Sequence, residues 1–285
     1  MKENPLPEKV SIMKLKDYFL TKEPFSLVRN SQFGYLETFP QPLDNLDDYY
    51  KSEEYISHTD GQKNLFEKVY QFFKYFNIRY KFSLLDSPKK GTKILDYGCG
   101  VGDFLAFAKK QKLEVLGIEP NENAREIAQH KLGENFIINE NISNLNEQFD
   151  YITLWHVLEH IPNLEEFLKS LKDKIKDDGT ILIAVPNYKS FDAQYYKKYW
   201  AAYDVPRHLW HFDPKSMEKL FDAYGMKIEK NYPLWFDSFY VSILSEKFKK
   251  NKLGIITAIC VALISNFIGL FNGNTSSIVY KIKKK

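Results

Sequence analysis

The chain has few cysteines, no strong charge of one sign and no secretory leader pattern. Among its 285 residues only Cys99 and Cys260 are cysteines. Two thiols cannot build a disulfide framework, so a reducing compartment is expected. The 40 basic and 37 acidic residues leave a net charge of +3, which is no nucleic-acid footprint. No nucleic-acid partner is expected. The opening residues 1–7 contain no apolar core of signal-peptide type, which makes the expected location cytoplasmic. Internal repeats and low-complexity segments are absent. Dense basic runs occur only at 247–252 and 281–285, and both flank the one long apolar run, 253–271.

What the chain does have is apolar and aromatic content. Hydrophobic residues make up 44%, enough for a core, and there are 22 Phe and 19 Tyr. These rings either fill the core or line an apolar substrate pocket. Residues 1–60 read as a small N-terminal cap of extended segments at 17–21, 25–29 and 34–40, broken by Pro and Gly. Within 46–58, Tyr50, Tyr55 and His58 either form a lid or pack the cap against the main domain, 61–285. Leu65, Val69, Phe72, Phe73 and Phe76 repeat at helical spacing. Residues 87–91 then form a break.

From residue 92 strands and helices alternate. Strands are expected at 93–97, 113–119, 136–139, 149–156 and 181–186. Helices are expected at 101–112, 121–132, 164–175 and 214–224, the last capped by Gly225. Strands at 226–232 and 277–283 close the series, with a helical insertion at 236–273 between them. This alternation predicts an α/β fold with a mostly parallel sheet covered by helices on both faces.

The densest chemical signal is Asp96-Tyr97-Gly98-Cys99-Gly100-Val101-Gly102, between a strand and a helix. Glycines there let the backbone approach a ligand and adopt turns that other residues resist. Free N–H groups at the helix start are expected to face a polar ligand. A dinucleotide fingerprint reads G-x-G-x-x-G. Here the third glycine comes one position early and Asp103 stands in its place, which disfavours a nicotinamide dinucleotide. Glu119 ends the next strand, about twenty residues on, where an acid accepts hydrogen bonds from ribose hydroxyls. Alternatively it is a solvated surface acid.

Residues 94–102 resemble motif I of class I S-adenosylmethionine-dependent methyltransferases. Gly117-Ile118-Glu119-Pro120 resembles the acidic motif that follows it. Phe149-Asp150-Tyr151-Ile152 with Val157-Leu158-Glu159-His160-Ile161 resembles the fourth-strand motif of the ubiquinone-biosynthesis O-methyltransferase group. Asp177-Asp178-Gly179-Thr180 resembles the approach to that family's fifth strand. The resemblance covers roughly 92–235 and resumes at the final strand. It implies a Rossmann-like, seven-stranded sheet and S-adenosyl-L-methionine as cofactor, with S-adenosyl-L-homocysteine as product. It further implies that Asp96, Gly98, Cys99, Gly100 and Gly102 line the methionine and ribose side. Glu119 would hold the ribose, Pro120 and Asn121 flank the adenine, and Trp155 and His156 border the methionine. Asn141 stands where many relatives place an acid at the adenine amino group, so it keeps hydrogen-bonding capacity without charge.

Methyl transfer is an in-line displacement in which the protein aligns the partners and excludes water. A hydroxyl acceptor gains from a general base. The candidates are His156, His160 and His208, with His211 beside them. Glu159 and His160 stand where quinone-modifying relatives carry a metal-associated motif, or they simply begin a helix; no metal is expected. The loop 199–212, with Trp200, Arg207 and Trp210, is either a substrate wall or a packed connector. An Asn/Asp-Pro-Pro-aromatic motif of base methylation is missing, since that site reads Leu154-Trp155-His156-Val157. The expected partner is a small-molecule acceptor, with O-methylation favoured. A lipid or quinone acceptor at a membrane, or a non-catalytic cofactor-binding role, are the alternatives. The run 253–271 caps the pocket, is buried in a homodimer, or makes peripheral membrane contact.

Overall fold

The computed structural model describes residues 10–50 and 65–285, and the side chains of these except 47 and 65–73. Tyr55 and His58 of the suggested lid lie outside the described residues. In chain order the elements begin with β1 (Ser11–Lys16), β2 (Pro24–Arg29), β3 (Leu36–Phe39) and α1 (Leu65–Ser83). Next come β4 (Lys93–Tyr97), α2 (Asp103–Lys110), β5 (Glu114–Ile118), α3 (Glu122–Leu132) and β6 (Ile137–Ile138). They continue with β7 (Phe149–Trp155), α4 (Leu164–Lys174), β8 (Ile175–Pro186), α5 (Phe191–Tyr196) and β9 (Trp210–His211). The last are α6 (Pro214–Ala223), β10 (Met226–Pro233), α7 (Asp237–Lys249), α8 (Gly254–Asn272) and β11 (Ser277–Lys284).

Two compact units result. One gathers the described parts of 56–185, 221–236 and 278–285. Its seven-stranded sheet has the order β10-β11-β8-β7-β4-β5-β6. The pairs β4/β5, β4/β7, β5/β6 and β7/β8 are parallel, and β10/β11 is antiparallel. This is the mostly parallel sheet that the alternation predicts. Its inner strands are near-continuous apolar runs because helices cover both faces. Ile94, Leu105, Val115, Ile137, Leu182 and Val279 form the core. After β4 the chain winds to one side through β5 and β6, then returns to the other through β7 and β8. The crevice where the order reverses, at the carboxyl ends of β4 and β7, is where open sheets bind ligands.

Some boundaries differ from expectation. The strand expected at 136–139 keeps only two residues. β8 starts at Ile175, because the pairing jumps from Phe149↔Ile175 to Tyr151↔Thr180 and the residues between are carried as an irregularity.

The other unit gathers the described parts of 1–55, 186–220 and 237–277. Its sheet has the order β1-β2-β3-β9, all antiparallel. β1 escapes the apolar pattern because it is an exposed edge. The segment 17–21 is a turn, not a strand. The Asp17 carboxylate accepts from the backbone N–H groups of Phe19, Leu20 and Thr21 at 2.9, 3.2 and 2.8 Å, which fixes the reversal. The core joins Leu15, Phe25, Leu27, Tyr188, Trp200 and Val261. The insertion folds as two helices, α7 and α8, packed on one another.

Candidate active site

Glycine is required at Gly98 and Gly100 for different reasons. Gly98 has φ +71°, and a Cβ there would sit 2.5 Å from Cγ2 of Val157. Gly100 has φ +54°, yet nothing lies within 4 Å of the Cβ it lacks. The first glycine is needed by the fold. The second keeps open the space in front of the crevice. The turn does not offer a row of free amides. Gly98 and Cys99 donate to Ile118 O at 2.8 and 3.1 Å, and Gly102 donates to Cys99 O at 3.0 Å. Gly100 donates to Glu119 Oε2 at 2.7 Å. The expectation of free N–H groups is therefore corrected for these four positions. A phosphate would need such amides, whereas a nucleoside bearing an amino acid needs only close approach.

Glu119 is 7% exposed and not a solvated surface acid. Its Oε1 accepts from the Asn121 N–H at 2.9 Å while Oε2 takes the Gly100 N–H. Burial raises its pKa, partly opposed by those two N–H groups. A carboxylate oxygen can accept more than one hydrogen bond, so capacity remains on both oxygens for a diol. Asn121 is also the N-cap of α3, accepting from Ala124 N–H at 3.0 Å. The Pro120 carbonyl accepts from Arg125 at 3.0 Å. Asn141 is exposed, and its Oδ1 accepts from both the N–H and the hydroxyl of Ser143 at 3.0 Å. It caps a short turn before any ligand arrives.

Asp96 lies at 1% exposure on β4. Burial pushes its carboxyl up to about 7, against the hydroxyl of Thr153 and the positive charge of Lys81. Thr153 donates to its Oδ1 at 2.6 Å. Sequence reading missed Thr153, which is opposite Asp96 only through the β4/β7 register. The raised value fixes a sign. Between about pH 4 and 7 the folded chain holds a proton on Asp96 that the unfolded chain releases, so this group's contribution to stability falls as pH rises. Asp96→Asn should therefore gain stability relative to the parent as pH rises through that window, by up to roughly 1.4 kcal/mol per pH unit. Denaturant unfolding of both proteins at either end of the window checks it. A difference that stays flat with pH contradicts it.

Cys99 turns its thiol into the core, where burial pushes its pKa up, so it offers a ligand only its backbone. Trp155, at the end of β7, packs edge-on against Phe104 with ring centroids 5.3 Å apart. The Lys81 ammonium sits 4.6 Å from the Trp155 ring, a contact the sequence did not signal. Its buried indole N–H has no hydrogen-bond partner among the described residues. Such a donor is costly unless something accepts from it.

His156 follows with φ +60°, rare for a residue with a side chain and concentrated at functional sites. Its N–H donates to Ala184 O at 3.0 Å, which pins the bend. Nδ1 lies 3.4 Å from Oε1 of Glu159, which is 1% exposed, while the imidazole keeps about a third of its surface open. His160 ends the short helical turn Leu158–His160.

The remaining candidates belong to the other unit. His208 Nδ1 lies 2.9 Å from Ala202 O. A carbonyl only accepts, so Nδ1 carries the hydrogen. His211 Nε2 meets the Thr38 hydroxyl at 3.0 Å, and that hydroxyl donates to His208 O at 2.6 Å. The hydrogen between His211 and Thr38 therefore comes from His211. Burial, then His208, lowers its pKa well below the usual value and keeps it neutral. The loop 199–212 is a packed connector. Trp200 is buried with its N–H on Asp192 at 2.7 Å, and Arg207 is 1% exposed.

A family model described as "Methyltransferase domain" matches residues 67–231. The mitochondrial ubiquinone biosynthesis O-methyltransferase of Rattus norvegicus is 28% identical over 159 residues, 50% of this chain and 46% of its own length. That of Dictyostelium discoideum is 27% identical over 180 residues, 54% of this chain and 56% of its own length. The chain thus spans about half the length of the curated relatives it matches. Among solved structures, the cyclopropane synthase MmaA2 of Mycobacterium tuberculosis superposes with a TM-score of 0.55 at 15% identity, covering 86% of this chain and 100% of the other. Magnesium protoporphyrin IX methyltransferase of Synechocystis, with bound SAH, gives 0.54 at 16% identity, covering 84% and 97%. At these identities the likeness is one of fold.

The crevice suits the cofactor that the motifs imply. It has open space before Gly100, a buried acid with acceptor capacity left, and an indole N–H still to be satisfied. With its sheet order and a matched domain covering more than half its length, the chain belongs to the class I S-adenosylmethionine-dependent methyltransferases.

Proposed function

We propose that this chain transfers a methyl group from S-adenosyl-L-methionine to a hydroxyl of a small-molecule acceptor, within a methyltransferase domain reaching from about residue 61 to the C-terminal strand. The bent His156 beside buried Glu159, at the carboxyl end of β7, carries the reading. When bound, the cofactor supplies an electrophilic methyl group on a sulfonium. Glu119 accepts from the ribose hydroxyls, and Pro120 and Asn121 border the adenine. Asn141 lies at that end as a capped turn. Asp96, Trp155 and the backbone of 98–102 line the methionine and ribose side. The Glu159 carboxylate lies 3.4 Å from Nδ1 of His156 and favours the hydrogen on that nitrogen, which would leave Nε2 as the basic one. His156 would then take the proton of the acceptor hydroxyl at Nε2. His160 and His208 are the remaining candidates for that role. The relatives named for O-methylation support an oxygen acceptor.

A second reading places the acceptor among lipids or quinones at the cytoplasmic membrane surface. It is favoured by the exposed apolar face of α8. Incubating the protein with a cell extract and methyl-labelled cofactor, then partitioning the product between water and solvent, separates the two readings. No labelled product with cofactor binding intact would leave a regulatory role instead. Glu119→Ala should weaken S-adenosyl-L-homocysteine binding by about 1.5–3 kcal/mol, the worth of hydrogen bonds to a charged acceptor. Titration calorimetry reads this, and an unchanged affinity removes Glu119 from the site.

A further inference from the structure

Helix α8 is built inside out. Between Gly254 and Asn272 it carries no charged residue, and its mean hydropathy reaches 2.2. In a water-soluble helix the large apolar side chains face the core. Here the buried face is Ala258, Val261, Ala262, Ser265 and Gly269. It packs against α7, whose own buried face is Ser238, Val241, Ser242, Ser245 and Glu246. The large residues point out. Ile255, Ile256, Leu263, Phe267, Leu270 and Phe271 are each more than half exposed, Phe271 at 79%. Small residues between helices and large ones outside is the pattern of helix pairs packed in lipid.

At about 100° per residue, the exposed positions from 255 to 271 sweep roughly half the helix circumference. That breadth decides between occupants. A second copy of the chain would cover a narrower stripe and leave a polar rim around it. Lipid envelops a half-cylinder. The insertion also leaves from β10 and returns to β11, antiparallel neighbours in one sheet, so α8 cannot cross a bilayer alone. α7, with 13 residues, reaches only about 20 Å of the roughly 30 Å needed. The orientation left is parallel to the surface. Exposed Lys247 and Lys249 end α7, exposed Lys250 and Lys252 lie in the connector to α8, and all four suit anionic headgroups.

We infer that α8 is an interfacial membrane anchor, lying in the plane of an anionic bilayer with its Ile/Leu/Phe face among the acyl chains. The test does not depend on the acceptor or on turnover. The full chain is floated with vesicles of phosphatidylcholine mixed with phosphatidylglycerol, and with phosphatidylcholine alone. Cys260 is exposed on the same face while Cys99 is buried, so a polarity-sensitive dye attaches to Cys260 selectively. The expected result is flotation that favours anionic vesicles and weakens with salt, with dye emission quenched by brominated lipid tails. The pair Ile259→Glu with Leu263→Glu should reduce vesicle binding more than about tenfold. Its affinity for S-adenosyl-L-homocysteine should match the parent's, which certifies the fold. Failure of the parent to float, or flotation that the Glu pair leaves intact, overturns the anchor. A lipid-free dimer that the Glu pair dissociates assigns the face to a second copy instead.

Discussion

His156→Ala should lower kcat for methyl transfer by about 10²–10⁴-fold while leaving S-adenosyl-L-homocysteine affinity within about twofold, the range lost when a general base is removed. The residue keeps its left-handed backbone in the parent because its N–H is held by Ala184 O. Alanine keeps that N–H but, lacking the imidazole's contact with Glu159, could let the bend shift, so exogenous imidazole supplies the control. Rescue of the rate shows that the missing group was a proton acceptor and not a backbone prop. Glu159→Gln should cost less and act through His156. It weakens the stabilisation of the imidazolium, so the acid limb of the rate profile moves to lower pH. A His156→Ala enzyme that turns over at the parent rate places the base elsewhere, with His160 and His208 next in line.

Arg207→Met should destabilise the fold by about 3–5 kcal/mol, the cost of removing one member of a buried ion pair. Its guanidinium contacts Asp204 Oδ1 through Nε at 2.9 Å and Nη2 at 2.6 Å. Nη2 also donates to Asp17 at 3.0 Å, and Nη1 donates to Tyr49 O at 3.1 Å. Burial would raise the pKa of Asp17, but the Thr21 N–H and the charge of Arg207 outweigh it and leave the value lowered. That stabilisation is present above the ordinary carboxylate range and is lost as pH falls. The variant therefore loses most at neutral pH and less in acid. Adding Asp17→Asn and Asp204→Asn should recover part of the loss, because the stranded charges go with them. Chemical denaturation at two pH values measures all of this, and a loss below about 1 kcal/mol would contradict the buried-pair account.

Legibility in the sequence followed what could be read locally. The strands β4, β5, β7 and β8 and their helices were legible because parallel strands covered on both faces are apolar throughout. The glycine turn and Glu119 were legible because a cofactor turn is a short contiguous string. What escaped depends on partners far along the chain. Arg207 sat in an aromatic, histidine-rich loop that read equally as a substrate wall. Only its pairing with Asp17 makes it structural. Thr153 looks like any strand threonine until β7 lies beside β4. The internal use of the glycine-turn amides was also invisible, since Ile118 O and the Glu119 carboxylate reach them only once β5 is in place. The apolar run 253–271 was plain as composition, but which side chains faced out required the pairing with α7.

The sheet β1-β2-β3-β9 has a consequence for biogenesis. Its closing strand lies far downstream of the first three. The Thr38 hydroxyl waits for a carbonyl 170 residues away, and Asp17 for a guanidinium 190 residues away. During synthesis the ribosome delivers β1–β3 first, then every strand of the other sheet through β8, before β9 emerges. Contacts of such separation are slow to form. Until then the edge of β3 stays unpaired and Asp17 lacks its countercharge. A newly made chain is therefore most vulnerable to edge-to-edge association at its amino-terminal end, and slower elongation before residue 207 lengthens that exposure.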